Sequence, residues 1–487
     1  MVVNTRHHSV FFSLFGLAAA CMSLAGTHVY AQTPNPSSAM NPYFGSVTAQ
    51  PATDQPLRLS LDEAVERGLK CNLGLKEAEN SEKALHGQKN QAVQLFLPNI
   101  VLSGGTGIYQ HNLVQGGFTP GTVKKFASLM GMGSSITGFS PITRDDLTQG
   151  NIYYSQTLFS GPVIAAFKAA GAAEKSAYFQ KMSARGEVVQ QVATAYLHAI
   201  AAESEVENAR ALVRQAQTLA DHAQAAHEAG VVANLDELRA KVQLQAQQQT
   251  LIVAENQLEK NLILLKREIG VAPGQKIELT DPAPYSELAA GSPAEVLPVA
   301  YKSRQDYQTM QNEAVEYKAI HLAYKTQRMP TLSFNSYYGT ATVNGAGTHG
   351  NFAAVGTVTM PLFREARLRG DVDAAQAQMQ AVNAQLADLR SAIELQVRSA
   401  LLDVDATRKL VSVARSNVEL ATQTVSDETE RVNAGVDDNL PLVTAQATLA
   451  SAENNMVESL YQYNVAKLVL ARATGILETQ YREYLGR

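Results

Sequence analysis

The chain has no tryptophan, and only 7% of its 487 residues are aromatic. Cysteine is almost as scarce, with Cys21 and Cys71 the two present. A large excess of charge of one sign is also missing: 40 basic against 45 acidic side chains leave a formal charge of -5 and a pI near 6.1. That balance excludes the basic footprint of a nucleic-acid binder. Beyond residue 31 there is no run of ~20 apolar residues, the length a membrane-spanning helix needs. If this chain enters a membrane, it does so with strands. Catalytic signatures are absent as well, with no His-Glu-x-x-His, Gly-x-Ser-x-Gly or phosphate-loop pattern. His222 and His227 stand five apart, off the i, i+4 spacing of a helical zinc pair, and His227 continues a small-residue stripe that suits packing. SGGTG at 103–107 reads as strand and turn glycine. No enzyme, cofactor or metal is expected.

The first 31 residues have a short basic start (Arg6, His7, His8), an apolar run from Val10 to about Gly26 and a small-residue site at Val29-Tyr30-Ala31. This is the pattern of a secretory signal peptide cut after Ala31. Lipoprotein processing at Cys21 competes with it, although Ala18-Ala19-Ala20 lacks the large aliphatic residue usual three positions upstream. After ordinary cleavage only Cys71 remains, so no internal disulfide can form; the residue reads as a small buried hydrophobe. The Pro/Asn/Ser-rich stretch 32–56 is expected to be extended or disordered.

Proline is missing between Pro162 and Pro273 and between Pro361 and Pro441. Because proline breaks helices, its absence permits rods over about 163–229 and 368–434, each ~100 Å long at 1.5 Å per residue. What fills them is a heptad seam of small side chains. Val192, Ala199, Val206, Val213 and Ala220 fall seven apart, as do Val188, Ala195, Ala202, Ala209, Ala216 and Ala223. Shifted by 205 residues, the stripes return as Val397, Val404, Val411, Val418, Val425 and Val432, and as Ile393, Ala400, Thr407, Ala414, Ala421 and Glu428. A strict seven-residue repeat predicts antiparallel coiled-coil packing, with helix axes brought close by the small residues.

The same shift superposes AGVVANLD (229–236) on AGVDDNLP (434–441), so the chain is a duplication. Each half opens with a helix (about 60–96 and 294–328), passes through two candidate strands, enters the long rod, turns at the Gly, and returns as a shorter helix (about 235–270 and 440–474). The strands are LPNIVLSGGTGIY (97–109) and NIYYSQTLF (151–159), then TLSFNSYYGT (331–340) and NFAAVGTVTM (351–360). They are about ten residues long and Tyr/Phe-bearing, as membrane strands are. Pro98, Pro162, Pro330 and Pro361 mark the helix-strand junctions. Between the first pair lies a Gly-rich excursion, 110–150; between the second, only ATVNGAGTHG (341–350). Four strands cannot close a barrel, yet lipid forbids open edges, so copies must assemble: two would give eight strands, and three would give twelve and leave a lumen.

LSLDEAVERGLKCNLGLKEAE followed by LPNI, the two AGV turns and the duplicated helix-strand-strand-helix-helix plan resemble the TolC-type outer-membrane efflux proteins, over about residues 57–475. The resemblance implies a mainly α chain with a membrane β-barrel: a long coiled-coil α-barrel plus four strands per chain of a homotrimeric twelve-stranded barrel. It implies a first repeat at 57–270, a second at 294–475, and equatorial segments at 271–293 and 476–487. The setting would be the outer membrane of a Gram-negative bacterium, in contact with outer-membrane lipid. The chain would be the passive conduit of a tripartite system, joined through a periplasmic adaptor to an inner-membrane transporter. The alternatives are the channel of a type I secretion system or a periplasmic coiled-coil scaffold without a pore.

On this reading the tips present Gly230, Val231, Asn234, Leu235, Gly435, Val436, Asn439 and Leu440 to the adaptor. Gly230 and Gly435 would supply left-handed turns, and Asn234 and Asn439 would cap the returning helices, with Asp236 able to share the cap in the first copy. A turn-only role is the plainer alternative. The family closes its tunnel with acidic residues just inside the second returning helix, where this chain has Pro441 and Thr444; the nearby candidates are Asp437, Asp438, Glu428, Asp236 and Glu237, unless these are simply solvated.

Overall fold

The computed structural model describes residues 41–47, 51–131, 140–230, 233–282, 284–289, 291–434 and 439–486. The signal peptide, Cys21, Val231, Gly435, Val436, Asp437 and Asp438 lie outside the described residues.

In chain order the first half comprises β1 (Leu57–Leu59), α1 (Leu61–Cys71), α2 (Leu73–Gln94), β2 (Asn99–Asn112), α3 (Pro120–Leu129), β3 (Ile142–Phe159), α4 (Gly161–Glu228) and α5 (Asn234–Glu268). The second comprises β4 (Ile277–Leu279), α6 (Pro293–Ser303), α7 (Gln305–Thr326), β5 (Thr331–Val343), β6 (His349–Thr359), α8 (Glu365–Asn433), α9 (Asn439–Ala473) and the short α10 (Leu477–Tyr484). The rods α4 and α8 have 68 and 69 residues, ~100 Å each. Their seams are buried as the heptads require: Val188, Val192, Ala199, Val206 and Ala223 in the first, Ile393, Val397, Val404 and Val411 in the second. Both α2 and α5 pack along α4, while α7 and α9 pack along α8, and α4 also touches α7 and α9. None of the described helices is long and apolar enough to cross a membrane.

The opening helix of each half is two helices, not one. Asn72 adopts an extended conformation (φ -63°, ψ 133°) between α1 and α2, and its side chain accepts a bond from the Leu75 N–H at 3.3 Å. This side chain offers the backbone a cap where the helix could have continued. Arg304 breaks the second copy at φ -68°, ψ 121°. Its guanidinium is forked onto Asp306 (3.0 and 2.5 Å) and also donates to Gln396 Oε1 (2.6 Å) and the Ala473 carbonyl (3.3 Å).

Part of the stretch expected to be unstructured is ordered across the first break. Pro42–Phe44 form one 3-10 turn, Asn72 Nδ2 donates to the Tyr43 carbonyl (2.6 Å), and the Val47 N–H donates to the Cys71 carbonyl (2.8 Å). The Tyr43 ring lies so close to Gly74 that a Cβ there would meet it at 2.6 Å. Cys71 itself is half-exposed rather than buried. Next to this strap β1 pairs in parallel with β4, and the buried Tyr196 hydroxyl lies 2.9 Å from both the Leu59 carbonyl and Asp281 Oδ2. The tail closes the same region, with the Tyr481 hydroxyl donating to Asp62 Oδ1 at 2.7 Å.

The four long strands form one antiparallel sheet, β2-β3-β5-β6. All four expected strands are present, and β3 starts at Ile142, well inside the expected loop. Its added residues, ITRDDLTQG, read as loop because they are polar, but they complete a ladder from Asn112–Ile142 to Asn99–Ser155. The β2–β3 hairpin outreaches β5–β6, whose turn at Asn344-Gly345 has both residues at positive φ (51° and 69°), as an Asn-Gly turn favours.

Candidate functional site: a two-faced sheet and paired helical tips

Pleating sends alternate residues to opposite faces of the sheet, and here the faces differ chemically. One in-register row is Leu102–Ile152–Tyr338–Phe352, and the next is Ser103–Asn151–Gly339–Asn351. On the first face Leu102 and Phe352 are 77% and 75% exposed, joined by exposed Ile100, Ile108 and Val358. On the second face Asn151 Nδ2 lies 3.2 Å from the Tyr153 hydroxyl, and Tyr153 packs against Tyr337 with ring centroids 5.7 Å apart. An apolar face of this size stays out of water only against lipid or protein, whereas the polar face suits an aqueous lumen. Pro98 and Pro330 immediately precede β2 and β5, Pro361 follows β6, and Pro162 lies in the first turn of α4. All four lie at ends of strands or helices.

Among the described residues, the outer edges of the sheet, on β2 and β6, have no further strand partner. This is the structural form of the closure problem raised by the sequence.

At the far ends of the rods the two hairpins pack together: Leu219, Ala220 and Ala223 of α4 meet Ala240 of α5 and Leu442 of α9, flanked by Val425 and Val432. Gly230 has φ +73°, and a Cβ there would meet no atom within 4 Å, so its role is conformational rather than steric. The cap assignment is corrected at the first tip. Ala233 is the N-cap, Asn234 is already the first helical residue, and no side chain caps α5. Ala233 takes the extended conformation (φ -72°, ψ 148°) that a cap needs, which moves Asn234 one place too far into the helix to act as one. Asp236 lies in the first turn, where it complements the helix dipole. Asn439 likewise is the first residue of α9, followed by Leu440. Leu235 is exposed.

The acidic candidates among the described residues, Asp236, Glu237 and Glu428, are each matched to a cation on their own hairpin. Asp236 pairs with Arg239 (3.4 Å) and Glu237 with Lys241 (2.5 Å), with His227 at 3.9 Å. The hydrogen bond from Lys241 holds the Glu237 carboxyl below its usual value. Glu428 faces Arg431 at 4.0 Å. Among the described residues no cluster of His, Cys, Asp or Glu could hold a metal.

Sequence reasoning missed the buried charges near the middle of the rods, Glu268 and Lys467 among them. Glu268 ends α5 with Oε1 3.5 Å from Gln191 Nε2, and burial pushes its carboxyl up to about 8. Lys467 is wholly buried, donates to the Ser286 carbonyl (3.2 Å), lies over the Tyr463 ring, and is pushed down to about 8 by burial. The signal available was a charge falling on an apolar helical face.

The fold is that of several solved outer-membrane channels. CmeC of Campylobacter jejuni superposes with a TM-score of 0.71 at 15% identity, over 90% of this chain and 92% of that one. VceC of Vibrio cholerae gives 0.70 at 17% identity, over 85% and 96%. The open state of the MtrE channel of Neisseria gonorrhoeae gives 0.69 at 17% identity, over 89% and 95%. A search of curated proteins returns no match. The family profile described as outer membrane efflux protein matches residues 65–271 and 306–476, which span both repeats. With that match across both halves, the chain belongs to the outer membrane efflux protein family.

Proposed function

We propose that the protein is a homotrimeric outer-membrane channel that conducts its cargo passively from a periplasmic adaptor and inner-membrane pump to the exterior. The observation that carries this reading is the sheet with one apolar and one polar face and two unpaired edges. Only copies of the same chain can close such edges in lipid, and three copies make a twelve-stranded barrel wide enough for a lumen. The rods α4 and α8, continuous with the sheet through Pro162 and Pro361, then extend that lumen into the periplasm. The paired tips at 230–235 and 435–440 are the adaptor-docking ends, similar but unequal because the repeat is. The carboxylates of Asp236, Glu237, Asp437, Asp438 and Glu428, three of each, form the periplasmic constriction and favour cations.

Small molecules and secreted polypeptides both suit a conduit of this plan, and the transporter it serves selects between efflux and type I secretion. A scaffold without a pore would leave the apolar sheet face in water. Reconstitution into planar lipid bilayers tests the proposal. Discrete cation-preferring conductance steps are expected, and membrane-inserted protein that passes no current would overturn it.

A further inference from the structure

At the foot of the sheet, on the side of β6, four apolar side chains stand in solvent. Leu362 and Phe363 are 89% and 98% exposed, Met360 is 55% exposed, and Met329 is 42% exposed. They border a groove of about 490 Å³ that also reaches Pro162 and Leu368. On the opposite edge, at the foot of β2, Leu95 and Leu97 are 48% and 49% exposed. Phe96 between them is held inside the chain, its ring 5.9 Å from Phe167 and its carbonyl accepting from Gln156 Nε2. One edge thus carries a groove and the other two knobs.

We infer that Leu95 and Leu97 of one copy fill the Leu362–Phe363 groove of the next, locking the barrel to the helical tunnel at each junction between copies. The inference rests on the closed-ring reading and adds which residues hold the ring at its base. Strand register gives the placement. Asn99, the first residue of β2, shares a row with Ser155, Asn335 and Val355, yet β6 runs four residues further, to Thr359. The feet of β3, β5 and β6, at Phe159, Thr331 and Thr359, all lie four residues beyond that row, so the step down falls between β2 and β3. Pairing of the two open edges brings the foot of the neighbouring β2, at Asn99, to the foot of β6, beside Met360 and Pro361. Antiparallel pairing of β6 with that β2 places both feet at the same end, so the residues before Asn99 meet the residues after Pro361. The only neighbour whose position the sheet dictates is a second copy, and its knobs match the groove in chemistry. Burying such side chains takes apolar surface out of water, which favours the contact.

Cysteine pairs test this in a Cys71→Ser background, using a short bifunctional maleimide on protein extracted in detergent. Leu97→Cys with Phe363→Cys is expected to yield covalent trimers, and each single variant none. Trimers by native mass that do not link would overturn the inference while leaving the channel standing. Linking in a single variant would overturn it too, since like residues would then meet. Labelling of Phe363→Cys by a lipid-phase reagent in intact trimers would assign the Leu362–Phe363 groove to the bilayer and overturn it. Absence of trimers would remove the closed ring and the inference with it. As a second readout, Leu362→Ser with Phe363→Ser is expected to dissociate trimers at lower temperature while leaving monomer helicity unchanged.

Discussion

Asn151 on β3 lies directly across from Gly339 on β5, so close that a Cβ added at Gly339 would overlap the Asn151 Oδ1 and the Gly150 carbonyl. This contact sits where the two halves of the duplication join into one sheet. Gly339→Val is therefore expected to disturb the β3–β5 ladder by about 1–3 kcal/mol, the usual range for overpacking. Gly356→Val, with no atom within 4 Å of its Cβ position, should be far milder. Yield of heat-resistant, detergent-extracted assembly compares the two, and equal yields would contradict the account.

The corrected cap at the first tip makes opposite predictions for neighbouring residues. Ala233→Asp supplies the missing side-chain cap and is expected to stabilise the start of α5 by about 1 kcal/mol. Asn234→Ala should change little, because Asn234 caps nothing. Amide exchange over residues 235–240 reads both. Loss of protection in Asn234→Ala would restore the cap role expected from sequence.

Glu268 gives a pH signature. Its folded-state value, about 8, lies above the ordinary 4.5, so the folded chain holds a proton that the unfolded chain has released. The stability it contributes is complete below about pH 4.5, is lost as pH rises through about 8, and is level beyond. Glu268→Gln is expected to match the wild type near pH 4 and to melt progressively higher than it up to pH 8. Melting curves that stay parallel across that range would contradict the assignment.

The second helix break depends on Arg304. Burial alone would raise the Asp306 carboxyl, but the hydrogen bonds and charge of Arg304 hold it below its ordinary value. Arg304→Ala removes the fork and the bonds to Gln396 and Ala473, and is expected to destabilise by about 2–3 kcal/mol. Arg304→Lys should recover little, because an ammonium cannot make the two-pronged contact. Thermal unfolding in detergent distinguishes them; full recovery by Lys would show that charge alone suffices.

How legible all this was in the sequence followed the physics of each signal. The rods and returning helices were placed within a few residues because proline, glycine and an unbroken heptad are local, strong and repeated. The breaks at Asn72 and Arg304 were not visible, since neither residue forbids a helix. Asn72 acts through its bond to Leu75 N–H, and Arg304 through partners as distant as Ala473. The first half of β3 was hidden because Arg144, Asp145 and Asp146 are polar; its pairing with β2 is a tertiary fact. The tip residues Gly230 and Leu235 were located by the repeat, whereas the partners of Asp236 and Glu237 became apparent only with the helix geometry.

Native mass of the protein extracted in detergent from the outer-membrane fraction tests the central claim most directly. The account predicts three copies of a processed chain, closed through β2 and β6. A water-soluble monomer or dimer, absent from that membrane, would contradict it.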